Sequence, residues 1–103
     1  MERYAYRLKA ARAAAGTKRT ALVGVVASGN LEVLLERCLP PDTCAVEVVT
    51  PLKGFRAVWE AVIGEFAKRH AAGGLRVSIN DGGARPDTVA LRLAQSVRMI
   101  EGA

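Results

Sequence analysis

The sequence predicts an α/β protein of the α+β type: a two-layer sandwich in which two helices pack on one face of a mainly antiparallel sheet of about four strands. Half of the 103 residues are apolar, which is enough for the core of one domain. Runs with alternating apolar residues indicate strands, and two stripes at i, i+3, i+4 spacing indicate helices. The strands are expected at 20–27, 31–37, 44–50 and 75–80; one helix follows Pro51, and the other begins with Pro86.

The beginning of the chain differs from the rest in charge. Residues 1–19 contain six basic side chains and one acidic one, whereas residues 20–103 contain nine of each. Alternation at 3–8 predicts a short edge strand, although the Ala- and Arg-rich sequence through Ala15 is also compatible with a helix. We therefore expect a basic N-terminal segment, 1–19, followed by a single domain, 20–103.

The first two strands of the domain are separated by the tripeptide Ser28-Gly29-Asn30. A β-branched run at 20–27 precedes it and an alternating run at 31–37 follows it. A Gly/Asn break between two such runs predicts a β-hairpin, with the serine at its tip.

The third strand is expected to complete an antiparallel meander. Pro40-Pro41 makes a turn after the hairpin, and the strand at 44–50 follows directly. Consecutive strands with short connections are typical of a meander. On the second strand Leu34 interrupts a polar face, which makes it a candidate partner contact.

Two helices complete the prediction. The stripe of the first contains both aromatic and aliphatic side chains, and at this spacing it is more typical of a core than of a platform for stacking bases. Gly73-Gly74 is expected to end this helix, and His70 suits the helix dipole. Pro86 is expected in the first turn of the second helix. The two stripes are Phe55, Val58, Trp59, Val62, Ile63 and Phe66, and Val89, Leu93, Val97 and Ile100.

The residues supply no recognisable catalytic or metal-binding set. There is one histidine, His70, and two cysteines, Cys38 and Cys44, which we expect to be free thiols. The loop Asp81-Gly82-Gly83 precedes a helix and can be considered for phosphate binding, but it lacks Walker spacing and favours a plain turn. Neither an apolar run of membrane-spanning length nor a secretory signal is present, so a cytoplasmic location without membrane contact is expected.

From composition alone, Ser28 is a small polar turn residue. The run from Val26 through Glu36, however, reads Val-x-Ser-Gly-Asn-Leu-Glu-Val-Leu-Leu-Glu, and it resembles the acyl carrier (delta) subunit of malonate decarboxylase. The resemblance extends through Val-Val-Thr at 48–50, the aromatic helix around Trp59, Asp-x-Gly-Ala at 81–84 and the helix at 89–95. It covers roughly residues 20–98 in the same order.

The resemblance implies a non-catalytic bacterial carrier that holds acetyl and malonyl as thioesters. Ser28 corresponds to the residue to which 2'-(5''-phosphoribosyl)-3'-dephospho-coenzyme A is attached covalently, and Gly29 and Asn30 shape the tip. Asn30 replaces an aspartate that is common in the family, which removes one negative charge beside the serine. The implied partners are the acyltransferase and decarboxylase subunits of the complex and a prosthetic-group transferase.

The sequence also indicates further candidate contacts and two alternative functions. Asp81, Gly82 and Gly83 are candidates for contacts with the arm or a partner, and the basic segment is a candidate for docking or for the phosphates of the arm. A citrate lyase carrier would have the same arm and a different acyl cycle. A small nucleic-acid-binding module would use the basic segment, but the neutral charge of residues 20–103 argues against it.

Overall fold

The computed structural model describes residues 1–102, and Ala103, the last residue of the predicted domain, lies outside the described residues. The elements follow one another as five strands and two helices. They are β1 (Glu2–Lys9), β2 (Thr20–Gly24), β3 (Leu31–Arg37), β4 (Thr43–Thr50), α1 (Arg56–Arg69), β5 (Leu75–Asp81) and α2 (Pro86–Glu101). The α+β class and the packing of helices on a mainly antiparallel sheet are confirmed.

The five strands form one mixed sheet in the order β1-β4-β5-β3-β2. Three pairings are antiparallel, and β4 pairs with β5 in parallel. The predicted meander is therefore wrong: β2 and β3 form a hairpin, but β5 lies between β3 and β4. The reason is α1, which carries the chain back so that β5 enters beside β4 in the same direction.

The N-terminal segment belongs to the sheet. The strand expected at 3–8 is β1, an edge strand paired with β4 along its whole length. The linker after it is also bound to the fold, since the amide of Ala14 donates to the carbonyl of Gly73 at 2.9 Å. Basic residues are thus distributed along a sheet edge and a fixed linker.

The core lies between the sheet and the two helices. Alternate residues of β3, Leu31, Val33 and Leu35, are fully buried, as the period of two requires. The whole predicted stripe of α2 is buried. In α1, by contrast, only three of the six residues of the predicted apolar stripe are buried in the core, namely Trp59, Ile63 and Phe66.

Several predicted boundaries are shifted. β2 ends at Gly24 and not at residue 27, because this glycine has φ +81°, outside the range of extended backbone. The first helix ends at Arg69, before the glycine pair, with His70 already in an extended conformation. Phe55 and Val58, expected in the core, are exposed at the start of α1.

Candidate functional site

Ser28 lies in a tight turn at the end of the β2–β3 hairpin. The loop spans residues 25–30, and the amide of Asn30 donates to the carbonyl of Ala27 at 2.9 Å, closing a β-turn. Ser28 is the second residue of the turn, and Gly29, with φ +75°, is the third. A type II turn requires positive φ at this third position, which explains the glycine next to the serine.

The side chain of Ser28 is exposed and unengaged. Its hydroxyl makes no hydrogen bond within residues 1–102. A Cβ atom placed on Gly29 would meet nothing within 4 Å, so the space beside the hydroxyl is open. The other two serines differ, since Ser78 is half-buried and Ser96 is buried and donates to the carbonyl of Leu93 at 2.7 Å. The geometry therefore favours Ser28 as the serine that another molecule can reach.

A second loop fixes the position of this turn. The amide of Gly29 donates to the carbonyl of Gly82 at 3.1 Å, and the amide of Gly82 donates to the carbonyl of Asn30 at 2.8 Å. A side chain on Gly82 would collide with the backbone carbonyl of Ala27. The glycine at 82 thus permits two loops to touch, and backbone hydrogen bonds join the turn to the second loop.

The buried side chain of Asp81 stabilises the second loop. It is the last residue of β5, is only 4% exposed, and accepts hydrogen bonds from Thr50 Oγ1 and from the amide of Ala84, both at 2.8 Å. Its carboxylate therefore faces its own loop and not the surface. Gly83, in contrast, is open, because a Cβ atom there would meet nothing within 4 Å.

The side chain of Asn30 joins the hairpin to α2. Its Oδ1 accepts from the amide of Leu31 at 2.8 Å and from Arg92 Nε at 3.2 Å. Arg92 Nη1 in turn donates to Gln95 Oε1 at 3.0 Å. The sequence does not point to Arg92, because nothing in the spacing of α2 indicates that this helix packs on β2 and β3.

The turn lies at the end of the sheet where both helices begin; we call this the tip end. β4 and β5 run in parallel towards it, and each is followed by a helix whose positive dipole end lies there. The surface is partly apolar, with Val25 and Val26 of the loop each 56% exposed and Phe55 44% exposed. The tip end thus combines the exposed hydroxyl of Ser28 with a partly apolar surface at the positive ends of two helix dipoles.

The opposite end of the sheet, the far end, holds the linker between β1 and β2. Arg37 closes β3 there and donates to the carbonyls of Lys18 and Ala14 at 2.9 and 2.7 Å. Seven residues of strand separate the two ends, or about 20 Å. The basic linker is therefore remote from Ser28. Leu34 is half-buried between the ends, on the sheet face that the helices do not cover, opposite Leu22 and Ser78.

Other reactive groups do not converge on the tip end. Cys38 is exposed and Cys44 is buried, both as free thiols, and burial raises the pKa of Cys44 to about 11. Within the described chain no three His, Cys, Asp or Glu side chains are grouped to hold a metal ion. A groove of about 910 Å³ between α1 and α2 is lined by residues such as Val62, Phe66 and Leu93 and includes no residue of the turn.

No helix in residues 1–102 is long and apolar enough to span a membrane.

Comparison with known proteins gives a consistent result. The family model described as malonate decarboxylase delta subunit (MdcD) matches residues 18–100. A malonate decarboxylase acyl carrier protein of Bradyrhizobium diazoefficiens is 58% identical over 100 residues, covering 97% of this chain and 95% of that protein. One of Xanthomonas euvesicatoria pv. vesicatoria is 48% identical and covers 100% of this chain and 98% of its own.

A solved structure is also similar. One chain of the crystal structure of a Pseudomonas malonate decarboxylase hetero-tetramer in complex with malonate superposes with a TM-score of 0.84 at 34% sequence identity. The match covers 97% of this chain and 99% of that chain.

Proposed function

Because the chain belongs to the family of malonate decarboxylase delta subunits, the acyl carrier proteins of that enzyme, we propose that it carries acyl groups on a prosthetic group attached to Ser28. The matching family model is that of malonate decarboxylase and not of citrate lyase, which confirms the family resemblance. The single observation behind the proposal is the free, exposed hydroxyl at an open turn. The group is proposed to be 2'-(5''-phosphoribosyl)-3'-dephospho-coenzyme A.

The residues at the tip end fit such a group. A phosphodiester on a serine requires a hydroxyl that a transferase can approach, and Gly29 leaves that space open. The two hydrogen bonds with Gly82 fix the turn without using any side chain near the hydroxyl. When bound, the group supplies a flexible arm with a terminal thiol that holds acetyl or malonyl as a thioester.

A carrier needs no catalytic residues of its own, and we propose that this chain is non-catalytic. Its task is to present the attachment point and to let the arm raise the local concentration of the acyl group at each partner. We infer that an acyltransferase subunit, decarboxylase subunits and a prosthetic-group transferase approach the tip end. Val25 and Val26, which directly follow β2, offer them exposed apolar surface.

The structural relative comes from a hetero-tetramer, which supports a role as one subunit of a multi-subunit complex. We propose that this complex works in the cytoplasm. The exposed free thiol of Cys38 supports a reducing compartment.

Intact-mass spectrometry tests the proposal directly. The protein is produced together with the modifying enzymes of its native host, beside the variants Ser28→Ala and Ser78→Ala. We expect wild type and Ser78→Ala to gain the mass of one phosphoribosyl-dephospho-coenzyme A group, and Ser28→Ala to gain none. An unmodified wild type, or equal modification of Ser28→Ala, would refute the assignment.

A further inference from the structure

Arg92 lies beside both ends of the loop that carries Ser28. On the β3 side its Nε donates to Asn30 Oδ1 at 3.2 Å. On the β2 side its Cδ lies 3.5 Å from the position that a Cβ atom of Gly24 would occupy. The side chain is half-buried and therefore lies across the base of the loop instead of extending into solvent.

The guanidinium group keeps most of its binding capacity. It has five N–H donors, of which the structure engages two, one with Asn30 and one with Gln95. Both acceptors are neutral amides, and within the described residues no carboxylate lies within 4.0 Å of Arg92. Arg92 therefore presents a full positive charge and three unused donors at the base of the turn.

The short distance along the chain limits how far Ser28 can be from this charge. Asn30 accepts the hydrogen bond from Arg92 and is two residues from Ser28. The Cα atoms of Asn30 and Ser28 are therefore at most about 7.6 Å apart. Other arginines of the region are less suited to this role. Arg85 is 84% exposed at its side chain and lies 3.6 Å from Asp87, and Arg98 is about 9 Å farther along α2.

We infer that Arg92 binds the phosphate that is attached to Ser28. The inference rests on the proposed function and deepens it, because it names the residue that would recognise the first phosphate of the arm. A planar guanidinium group pairs with two phosphate oxygens at once, and partial burial strengthens the charge-assisted hydrogen bonds. Asn30 supports the pairing, since it orients Arg92 without neutralising it.

A phosphoserine incorporated at position 28 tests the inference without any transferase. Phosphorus NMR follows the second pKa of this phosphate, which is ordinarily near 6. We expect the pKa to be lower by about 0.5 with Arg92 present than in the variant Arg92→Gln, because a nearby cation favours the dianion. Glutamine retains an amide that can donate to Asn30, and Arg98→Gln serves as the matched control that should titrate like wild type.

Two further variants separate charge from structure. Arg92→Lys should keep part of the shift, because the charge remains while the planar fork is lost. Asn30→Asp should reduce the shift, because a carboxylate beside Arg92 offsets its charge and repels the phosphate. The wild-type shift should also shrink in high salt, as a partly exposed ion pair requires.

Superimposable titration curves for wild type and Arg92→Gln would overturn the inference, as would an equal change in Arg98→Gln. The proposed function is judged separately by intact mass, because a protein that gains no mass at Ser28 can still show the phosphoserine shift. In a protein that does load, Arg92→Gln should shift the phosphodiester resonance, whereas Arg98→Gln should leave it unchanged.

Discussion

The two ends of the sheet each contain an arginine, and they use it differently. At the far end Arg37 donates to four backbone carbonyls, those of Ala14, Ala15, Lys18 and Ile100, between 2.7 and 3.1 Å. At the tip end Arg92 makes two hydrogen bonds, both with neutral amides. The same residue type thus uses four of its five N–H donors in one place and two of them in the other.

The difference shows how this fold separates structure from function. The far end ties a linker and the end of α2 to the sheet through one side chain, that of Arg37. The tip end is ordered by backbone contacts through Gly82 and by the buried carboxylate of Asp81. The hydroxyl of Ser28 and the donors of Arg92 therefore remain available to a ligand.

The largest effect on stability is expected at the far end. Arg37→Met should lower the free energy of unfolding by about 3 kcal/mol, because several carbonyls lose a charged donor. The matched control is Arg76→Met, since Arg76 makes one exposed ion pair with Glu47 at 3.3 Å and should cost about 0.5 kcal/mol or less. Urea unfolding measures both. Equal losses in the two variants would mean that Arg37 does not hold the far end.

A smaller loss is expected when the two loops of the tip end are forced apart. Gly82→Ala should cost about 2 kcal/mol, because the new methyl group meets the carbonyl of Ala27. It should also speed amide hydrogen exchange at Gly29 and Asn30. Gly64→Ala is the control: this helical glycine has open space around it and should gain up to about 1 kcal/mol. Unchanged exchange at the turn in Gly82→Ala would show that Gly82 does not order it.

The buried thiol near the far end predicts a pH dependence of stability. Burial raises the pKa of Cys44 from 9.0 to about 11, so the folded state keeps a proton that the unfolded chain releases. The stabilisation is complete below pH 9, and about 2 kcal/mol of it should be lost between pH 9 and pH 11. Unfolding curves of wild type and Cys44→Ala across this range measure it. The two slopes should differ, and parallel slopes would contradict the assignment to Cys44.

The smallest effect on stability is expected at Ser28, the proposed attachment residue. Ser28→Ala should change the free energy of unfolding by less than about 0.5 kcal/mol, because the hydroxyl is exposed and makes no hydrogen bond within residues 1–102. Ser96→Ala provides the contrast, since it loses a buried hydrogen bond to Leu93 and should cost about 1 kcal/mol. A Ser28→Ala protein as destabilised as Ser96→Ala would show that the hydroxyl is structural.

The regular elements could be predicted from the sequence because each has a clear period. The stripe of α2 and the alternation of β3 lead directly to buried faces. The order of the strands in the sheet could not be predicted, because hydropathy does not indicate which strands lie next to each other. β3 and β4 are consecutive, yet β5 separates them.

The candidate site shows the same division. Ser28 and Gly29 could be found because a family motif and a turn signal coincide there. Arg92 could not, since its relation to Ser28 depends on how α2 crosses the hairpin, 62 residues away from Asn30 in sequence. Asp81 was expected in a loop as a candidate for contacts with the arm or a partner, but it is buried and accepts a hydrogen bond from Thr50, 31 residues earlier.

Mapping the modified position is the most direct test of the central claim that the tip end presents Ser28 for attachment. Cleavage of the loaded protein after Arg19 and Arg37 releases residues 20–37, in which Ser28 is the single serine. Fragmentation should place the whole added mass on Ser28 in this peptide. Added mass on Thr20, or on a peptide containing Ser78 or Ser96, would contradict the account.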